Sequence, residues 1–358
     1  MKSISRFIPV ILVSMIATNT ALAEQDVQVV GKIQQPLERP VSNARNLLKA
    51  KTLPSSITLL KIELSDNAWT KLENRLESVP NPTLSISSKG TNVQLGMNNV
   101  PVLDQGPHGT CATFANTAAI DAALNKGDYI SQLCLLELGN HLATYGYTSS
   151  GWDGSMGPYV LHKLQAFGFI SKAKEHANGC GGLTDYPSQS ATDPTSEMTL
   201  SEYHALSTPV NLDHVDWSSL VDVYRVFVDR VNPNSTLQQT KSALDAGDRL
   251  TFGVLLFSTN KGTVGAVGKH NVTNDSWVLS DDIIDDIKNQ GDFGGHEMII
   301  TGYDDTAVAI DNAGKTHTGL LTLRNSWGPN IADQGNFYMS YDYFKALIIE
   351  LQRIRTLR

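Results

Sequence analysis

An α+β fold in two parts is predicted by the order in which element types appear along the 358 residues. Helix-spaced apolar runs come first, short β-rich runs fill the last third, and a Pro/Ser/Gly-rich stretch, "PNPTLSISSKGTN" (80–92), sets a shorter leading unit apart from both. Helices early and strands late place a cleft between the two halves. With 41% hydrophobic and 18% charged residues the chain can bury a full core, and its length allows two units. The formal net charge of −8, with no basic patch, no repeat and no low-complexity tract, argues against nucleic acid as a partner.

The first 23 residues read as a secretory signal. Lys2 and Arg6 precede the apolar "FIPVILVSMIA" and the small-residue "ALA" ending at Ala23. That run is too short to span a bilayer and no later segment is apolar enough, so export without a membrane anchor in the mature form is expected. From residue 24 to about 80 come two strand-like runs, "DVQVV" and "SITLLKIEL", and then "SDNAWTKLENRLESV", where Trp69, Leu72 and Leu76 keep helical spacing behind a Ser65 cap. The expected division is therefore a signal (1–23), a leading segment (24–90) and a main domain (91–358). Residues 24–95 carry 9 Lys+Arg against 7 Asp+Glu, while residues 96–358 carry 17 against 29. A slightly basic leader thus precedes an acidic body, which favours docking of one on the other.

In the main domain, "CATFANTAAIDAALN" (111–125) is a helix with Phe114, Ala118 and Leu124 on one face and Gly127 just past its end. "GPYVLHKLQAFGF" (157–169) is a second helix. "RLTFGVLLF", "HEMIITGY", "TGLLTLRNSW" and "GNFYMSYDYF" read as strands separated by Gly, Asp and Asn. The run of Asp281, Asp282, Asp285 and Asp286 reads as a solvated helix face rather than a cation site, because calcium-loop spacing is missing. Asn234-Ser235-Thr236 and Asn271-Val272-Thr273 fit a glycan acceptor pattern that is common by chance.

There are three cysteines, Cys111, Cys134 and Cys180. In an exported chain an odd count leaves one free thiol or an intermolecular link. Cys111 heads the first helix, where unpaired N–H groups and the positive end of the dipole favour thiolate. A thiolate needs an imidazole as ion-pair partner and proton donor, a group to orient that imidazole, and donors for the developing oxyanion. The chain carries these in order: Gln105 and the Cys111 amide as donors, His296 in "GDFGGHEMIITGYDD", and Asn325 in "LTLRNSWGPN" with Trp327 placed to cover it from water.

On these stretches, together with "DQGPHGTCATFA", "ISQLCLLEL", "GWDGS" and "QGNFYMSYDYF", the sequence resembles the papain-like cysteine peptidases over most of residues 95–345. The resemblance implies a two-lobed fold, with a helical N-terminal lobe, a β-rich C-terminal lobe and a cleft between them. It implies Cys-His-Asn catalysis by Cys111, His296 and Asn325 with Gln105, and a substrate strand held by Gly154, Ser155, Met156, Gly295 and Trp327. No cofactor or metal is called for. It also implies a Cys134–Cys180 disulfide, near the family's bridge but not at its positions, and residues 24–90 as an inhibitory pro-segment, although the family's long propeptide helix is not recognisable there.

The sequence departs from the family pattern in several places. His108 stands at the signature's first cysteine and Ala112 at its aromatic residue. His296 follows Cys111 by 185 residues, against roughly 130–150 in the family. Ser155 replaces a glycine and Ile331 a second tryptophan. These changes leave the chemistry in place and alter the subsites. The resulting expectation is an exported, latent, monomeric cysteine endopeptidase, secreted or periplasmic, acting on proteins or peptides. The alternatives are an acyl transferase using the same triad, which amine capture of the thioester would reveal, and a non-catalytic binding protein, which loss of a triad residue would signal.

Overall fold

A computed structural model describes residues 26–36, 56–79, 92–210, 215–221, 232–257, 263–264 and 275–357. The signal, most of the 80–92 joint and the Asn271 acceptor lie outside the described residues. Among the described residues, no helix is long and apolar enough to cross a membrane.

The leading segment folds as β1 (Val27–Pro36), β2 (Ser56–Leu64) and α1 (Asp66–Ser78). β1 and β2 pair as an antiparallel hairpin. Ser65 caps α1 by accepting from the Ala68 N–H, as its place before the helical pattern predicted. Behind that cap Ala68, Trp69, Leu72 and Leu76 are buried on one side. Trp69 packs edge-on against Phe257 and Phe293, so α1 is part of the main core.

After the short β3 (Asn92–Gln94), the helical half comprises α2 (Cys111–Leu124), α3 (Gln132–Thr144), α4 (Gly157–Phe167), α5 (Lys172–Asn178) and α6 (Leu200–Leu206). The one-sided packing expected of α2 is not observed. Every residue from Cys111 to Ala122 is buried, because this helix of small side chains is clamped between α3 and α4 on one side and the sheet on the other. α2 ends at Leu124, within one residue of the expected span, with Asn125 as its left-handed cap at φ 54° and Gly127 just beyond also at positive φ.

The second half is built from β4 (Val215–Val221), α7 (Pro233–Asp245), β5 (Arg249–Phe257), β6 (Thr263–Val264), β7 (Ser276–Trp277), α8 (Asp281–Lys288), β8 (Phe293–Ile310), β9 (Thr316–Arg324), β10 (Asn336–Ser340), α9 (Tyr341–Leu347) and β11 (Ile348–Thr356). Its strands lie in the order β4-β11-β5-β8-β9-β10-β7-β6. β5, read as a strand from "RLTFGVLLF", is buried along its whole length, Arg249 and Thr251 included. "YDYF", read as strand, is helical. Ser340 caps α9, and Tyr343, Phe344 and Leu347 bury at helical spacing, which outweighs the β preference of the aromatics. The aspartate run forms α8, with Ile283 and Ile287 buried, Asp281, Asp282 and Asp285 exposed, and Asp281 paired with Lys315 at 3.0 Å.

One core lies between the sheet and α1, and a second lies among α2, α3 and α4. Cys134 on α3 is bonded to Cys180 just after α5, with Cα atoms 5.0 Å apart. The bridge closes a loop with a sequence separation of 46, worth about 4 kcal/mol in the chain-entropy model. Cys134→Ala/Cys180→Ala should lower unfolding stability in urea by that order. A loss under about 1 kcal/mol would show that the cross-link does not constrain the helical half.

Candidate active site

Three chain segments meet at the N-terminus of α2. Cys111 is its first residue, and Thr110 supplies no side-chain cap, so first-turn N–H groups remain for other acceptors. The backbone N–H groups of Ala112 and of Glu297, the residue after His296, lie close enough to the sulfur to favour its thiolate, against the larger effect of burial. This contact brings the helix end onto β8 beside the histidine. Cys111 is the free cysteine and is fully buried.

His296 Nε2 lies 2.8 Å from Asn325 Oδ1. Nε2 therefore carries the hydrogen and donates to the amide oxygen, which leaves Nδ1 as the proton acceptor. Nδ1 is buried with no hydrogen-bond partner among the described residues. Asn325 directly follows β9, and its own N–H donates to the Gly335 carbonyl at 3.1 Å. Trp327 stacks on the imidazole at 4.3 Å between ring centroids and 22° between planes. It is backed edge-on by Trp277 and Phe337. The stacked indole covers the His296–Asn325 pair as expected from their spacing.

Gln105 reaches the site because residues 103–105 run beside 326–328: the Gln105 N–H donates to the Ser326 carbonyl and the Gly328 N–H to that of Leu103. Its side chain is held at both ends. Oε1 accepts from the Ser326 hydroxyl at 2.7 Å and Nε2 donates to the His108 carbonyl at 2.8 Å, which leaves a second Nε2 hydrogen for an oxyanion. His108, where the family has a cysteine, is buried. Its Nδ1 meets Asp193 and its Nε2 the Pro187 carbonyl at 3.0 Å, so it ties the 187–193 loop to the strip leading into α2.

Of the five expected substrate-strand residues, two, Gly154 and Gly295, lie directly under the leading hairpin. A Cβ built on Gly154 would stand 2.6 Å from Val29 Cγ1 and 2.9 Å from Leu60 Cδ2; one on Gly295 would stand 2.2 Å from Ile62 Cδ1. The absence of a side chain at these two glycines makes room for Val29, Leu60 and Ile62 of the hairpin. Leu60 pairs with Gly295 across the β2–β8 ladder. Gln34 Nε2 donates to the Pro107 carbonyl at 3.3 Å and the Thr58 hydroxyl to that of Gly106 at 3.4 Å. Ser155 is buried, and Met156 is half-buried at the N-cap of α4, packed on the sheet core. Lys32 of β1 is ion-paired with Asp193 and lies 3.8 Å from Asp153.

Under this cover burial favours the neutral forms of both Cys111 and His296. Burial, with the nearby Glu297 carboxyl adding to it, pushes the Cys111 thiol up to about 12. Burial lowers His296 to about 4 against the smaller upward pull of Asn325. Desolvation thus holds the pair as thiol and imidazole, the uncharged forms. The sequence reading missed the Lys32 contact and the carboxyl at Glu297. A signal for the second was present in "GGHEMII", where a charged residue interrupts an apolar strand.

No protein-family model matches the chain, and no curated protein matches it in sequence. Among solved structures it is similar to xylellain, a cysteine protease from Xylella fastidiosa, at 20% identity and TM-score 0.46, over 75% of this chain and 87% of that one. It is also similar to digestive procathepsin L 3 of Tenebrio molitor larval midgut, at 16% identity and TM-score 0.45, over 81% and 79%. A third similar structure is the bromelain protease from Ananas comosus, at 14% identity and TM-score 0.44, over 75% and 98%.

Proposed function

We propose that the chain is an exported papain-like cysteine endopeptidase that folds as a latent precursor. The observation that carries this reading is the His296–Asn325 hydrogen bond under Trp327, with the Cys111 sulfur near the amide of the residue after that histidine. Once the cleft is open to water, proton transfer from Sγ to Nδ1 gives the thiolate–imidazolium pair. The thiolate attacks the scissile carbonyl carbon, and the Gln105 amide and the Cys111 N–H receive the developing oxyanion. Nδ1–H protonates the departing amine, leaving a thioester on Cys111. Water then attacks the thioester while Nδ1 takes its proton, and the acid product leaves as the thiolate re-forms. Asn325 keeps Nε2–H engaged throughout, so Nδ1 remains the nitrogen that takes and gives the proton.

The substrate is a protein or peptide chain laid where the hairpin now lies, along Gly154, Ser155, Met156, Gly295 and Trp327. In this reading residues 24–90 are the chain's own inhibitor, and the mature enzyme is a secreted or periplasmic monomer. The test is to treat processed protein with a thiol-directed epoxide and map the label by mass spectrometry. Modification at Cys111 with parallel loss of hydrolysis is expected. Labelling elsewhere, or full activity with Cys111 labelled, overturns the assignment.

A further inference from the structure

A second group of buried polar side chains lies directly behind Cys111, where the two halves meet. Gly253 of β5 faces Glu297 of β8 on one side and Glu350 of β11 on the other. Since facing residues of neighbouring strands share a side of the sheet, both carboxyls rise on the side that α2 and α4 cover. Gly253 makes room for them: a Cβ there would stand 2.7 Å from Glu350 Cγ. Glu297 and Glu350 are 2% and 3% exposed, and both Oε1 atoms converge on Gly157. Two buried carboxyls held on one point of the chain oppose each other's ionisation, so the pair retains a proton.

The outer oxygens of the pair reach the helical half. Glu297 Oε1 accepts from Asn116 Nδ2 of α2 at 2.6 Å. Asn116 Oδ1 in turn accepts from the Thr251 hydroxyl of β5 at 2.9 Å. Glu350 Oε1 accepts from the Gly157 N–H at the start of α4 at 3.0 Å. Gly157 is again a clearance, since a Cβ there would stand 2.6 Å from Glu297 Oε1. From each packed element the facing group is therefore identified: Cys111 and Asn116 on α2, the Gly157 N–H on α4, Thr251 on β5 and Gln352 on β11. Among these the thiol alone titrates.

We infer that Glu297 and Glu350 are a proton-sharing positioning pair, which clips the first turns of α2 and α4 to the sheet beneath Cys111 and tunes the ionisation of its thiol. The inference rests on the reading of Cys111 as the nucleophile. While the pair keeps its proton it draws both helices in. When the proton leaves, two buried carboxylates repel each other, and a second negative charge opposes the thiolate. The direction agrees with burial and Glu350 raising the Glu297 carboxyl well above its ordinary range.

The experiment measures the rate of iodoacetamide alkylation of Cys111 in the uncut chain as pH is raised, for the wild type, Glu350→Gln and Glu297→Gln. Glutamine keeps the volume and the acceptor oxygen and removes the charge. In the wild type the logarithm of the rate should rise less than in proportion to pH once the pair ionises. In either variant it should rise in proportion, and reach about tenfold the wild-type rate at the alkaline end, the effect of one nearby charge on a thiol. Superimposed curves overturn the inference, and so does a constant offset with the same slope, the mark of a merely loosened fold. Should both variants fail to fold, the ¹³C carboxyl titration of the wild type decides: a pair of glutamates ionising in two displaced steps supports the inference, and all glutamates titrating near about 4.3 overturns it. None of these readouts needs peptide hydrolysis, so an inactive chain would sink the proposed function and leave this result readable.

Discussion

Replacing Cys111 with alanine is expected to abolish peptide hydrolysis, by on the order of 10⁴–10⁶-fold, the range seen when a nucleophile is removed from a triad. The side chain is fully buried at the first turn of α2. Losing its sulfur leaves a small void, at a stability cost of about 1 kcal/mol. The comparison is therefore of folded proteins, checked by an unfolding midpoint near that of the wild type. Asn325→Ala should cost less, on the order of 10²-fold in kcat, because the imidazole can still ionise under Trp327 but no longer has Nε2–H pinned to Oδ1. A loss from the wrong tautomer in a serine triad reaches about 10⁴-fold, which bounds the effect from above. Hydrolysis surviving in Cys111→Ala would end the thiol mechanism. Equal loss in both variants would instead assign Asn325 a larger part than orientation.

The second large effect is expected from the hairpin. Leu59, Leu60 and Ile62 are buried where β2 lies on Gly154, Gly294 and Gly295, and every 1.4 kcal/mol of net closure should cost the closed chain about tenfold in activity. Leu60→Ala removes a side chain that touches both sides of the cleft. If about 2 kcal/mol of its burial is lost on opening, hydrolysis by the uncut chain should rise on the order of 10–100-fold. No rise in a folded variant would show that the hairpin does not obstruct the site. A cut within 80–91 should do little by itself, because α1 stays anchored: Arg75 Nη1 donates to the Ala346 and Ile348 carbonyls at 3.1 and 2.8 Å. Activity should appear when the cut fragment is washed away, and adding it back should restore inhibition.

The pH dependence of closure has a definite sign. In the proposed mechanism a proton passes from Sγ to Nδ1 on opening, so it is neither taken up nor released, and that pair adds little pH dependence near neutrality. The Lys32–Asp193 pair supplies one. Burial disfavours the Asp193 carboxylate, but hydrogen bonds from Lys32 and His108 outweigh that and hold it below the ordinary carboxylate range. Its contribution to closure is full above that ordinary range and is lost as pH falls below it. Hydrolysis by the uncut chain should therefore rise only in acid, and Lys32→Ala should raise it at neutral pH and flatten the acid rise.

Several parts of this protein could be read without coordinates, because they are set by local pattern. Ser65 before a helical run predicts α1, the β-rich run "RLTFGVLLF" predicts β5, and the small-residue run from Cys111 predicts α2. In each case the signal lies within one turn or one strand, or in the chemical type and order of a few residues. The boundaries that failed, the one-sided face of α2 and the strand at "YDYF", failed where a second layer of structure decides burial. A helix clamped on both sides has no solvent face, and an aromatic run follows whichever spacing fills the core.

Local pattern carries an inventory: which residue types stand where, in what order, and the leading strands and helix ahead of the helical half. What only the tertiary structure decided is which distant groups share a site. The hairpin's seat on Gly154 and Gly295 depends on two strands crossing two glycines more than ninety residues downstream. Lys32 meets Asp193, and Glu297 meets Glu350 over Gly253, only because sheet order and register bring them together. Charge and burial act through space, so the neutral, covered state of Cys111 and His296 is a property of that packing and of no local stretch of the chain.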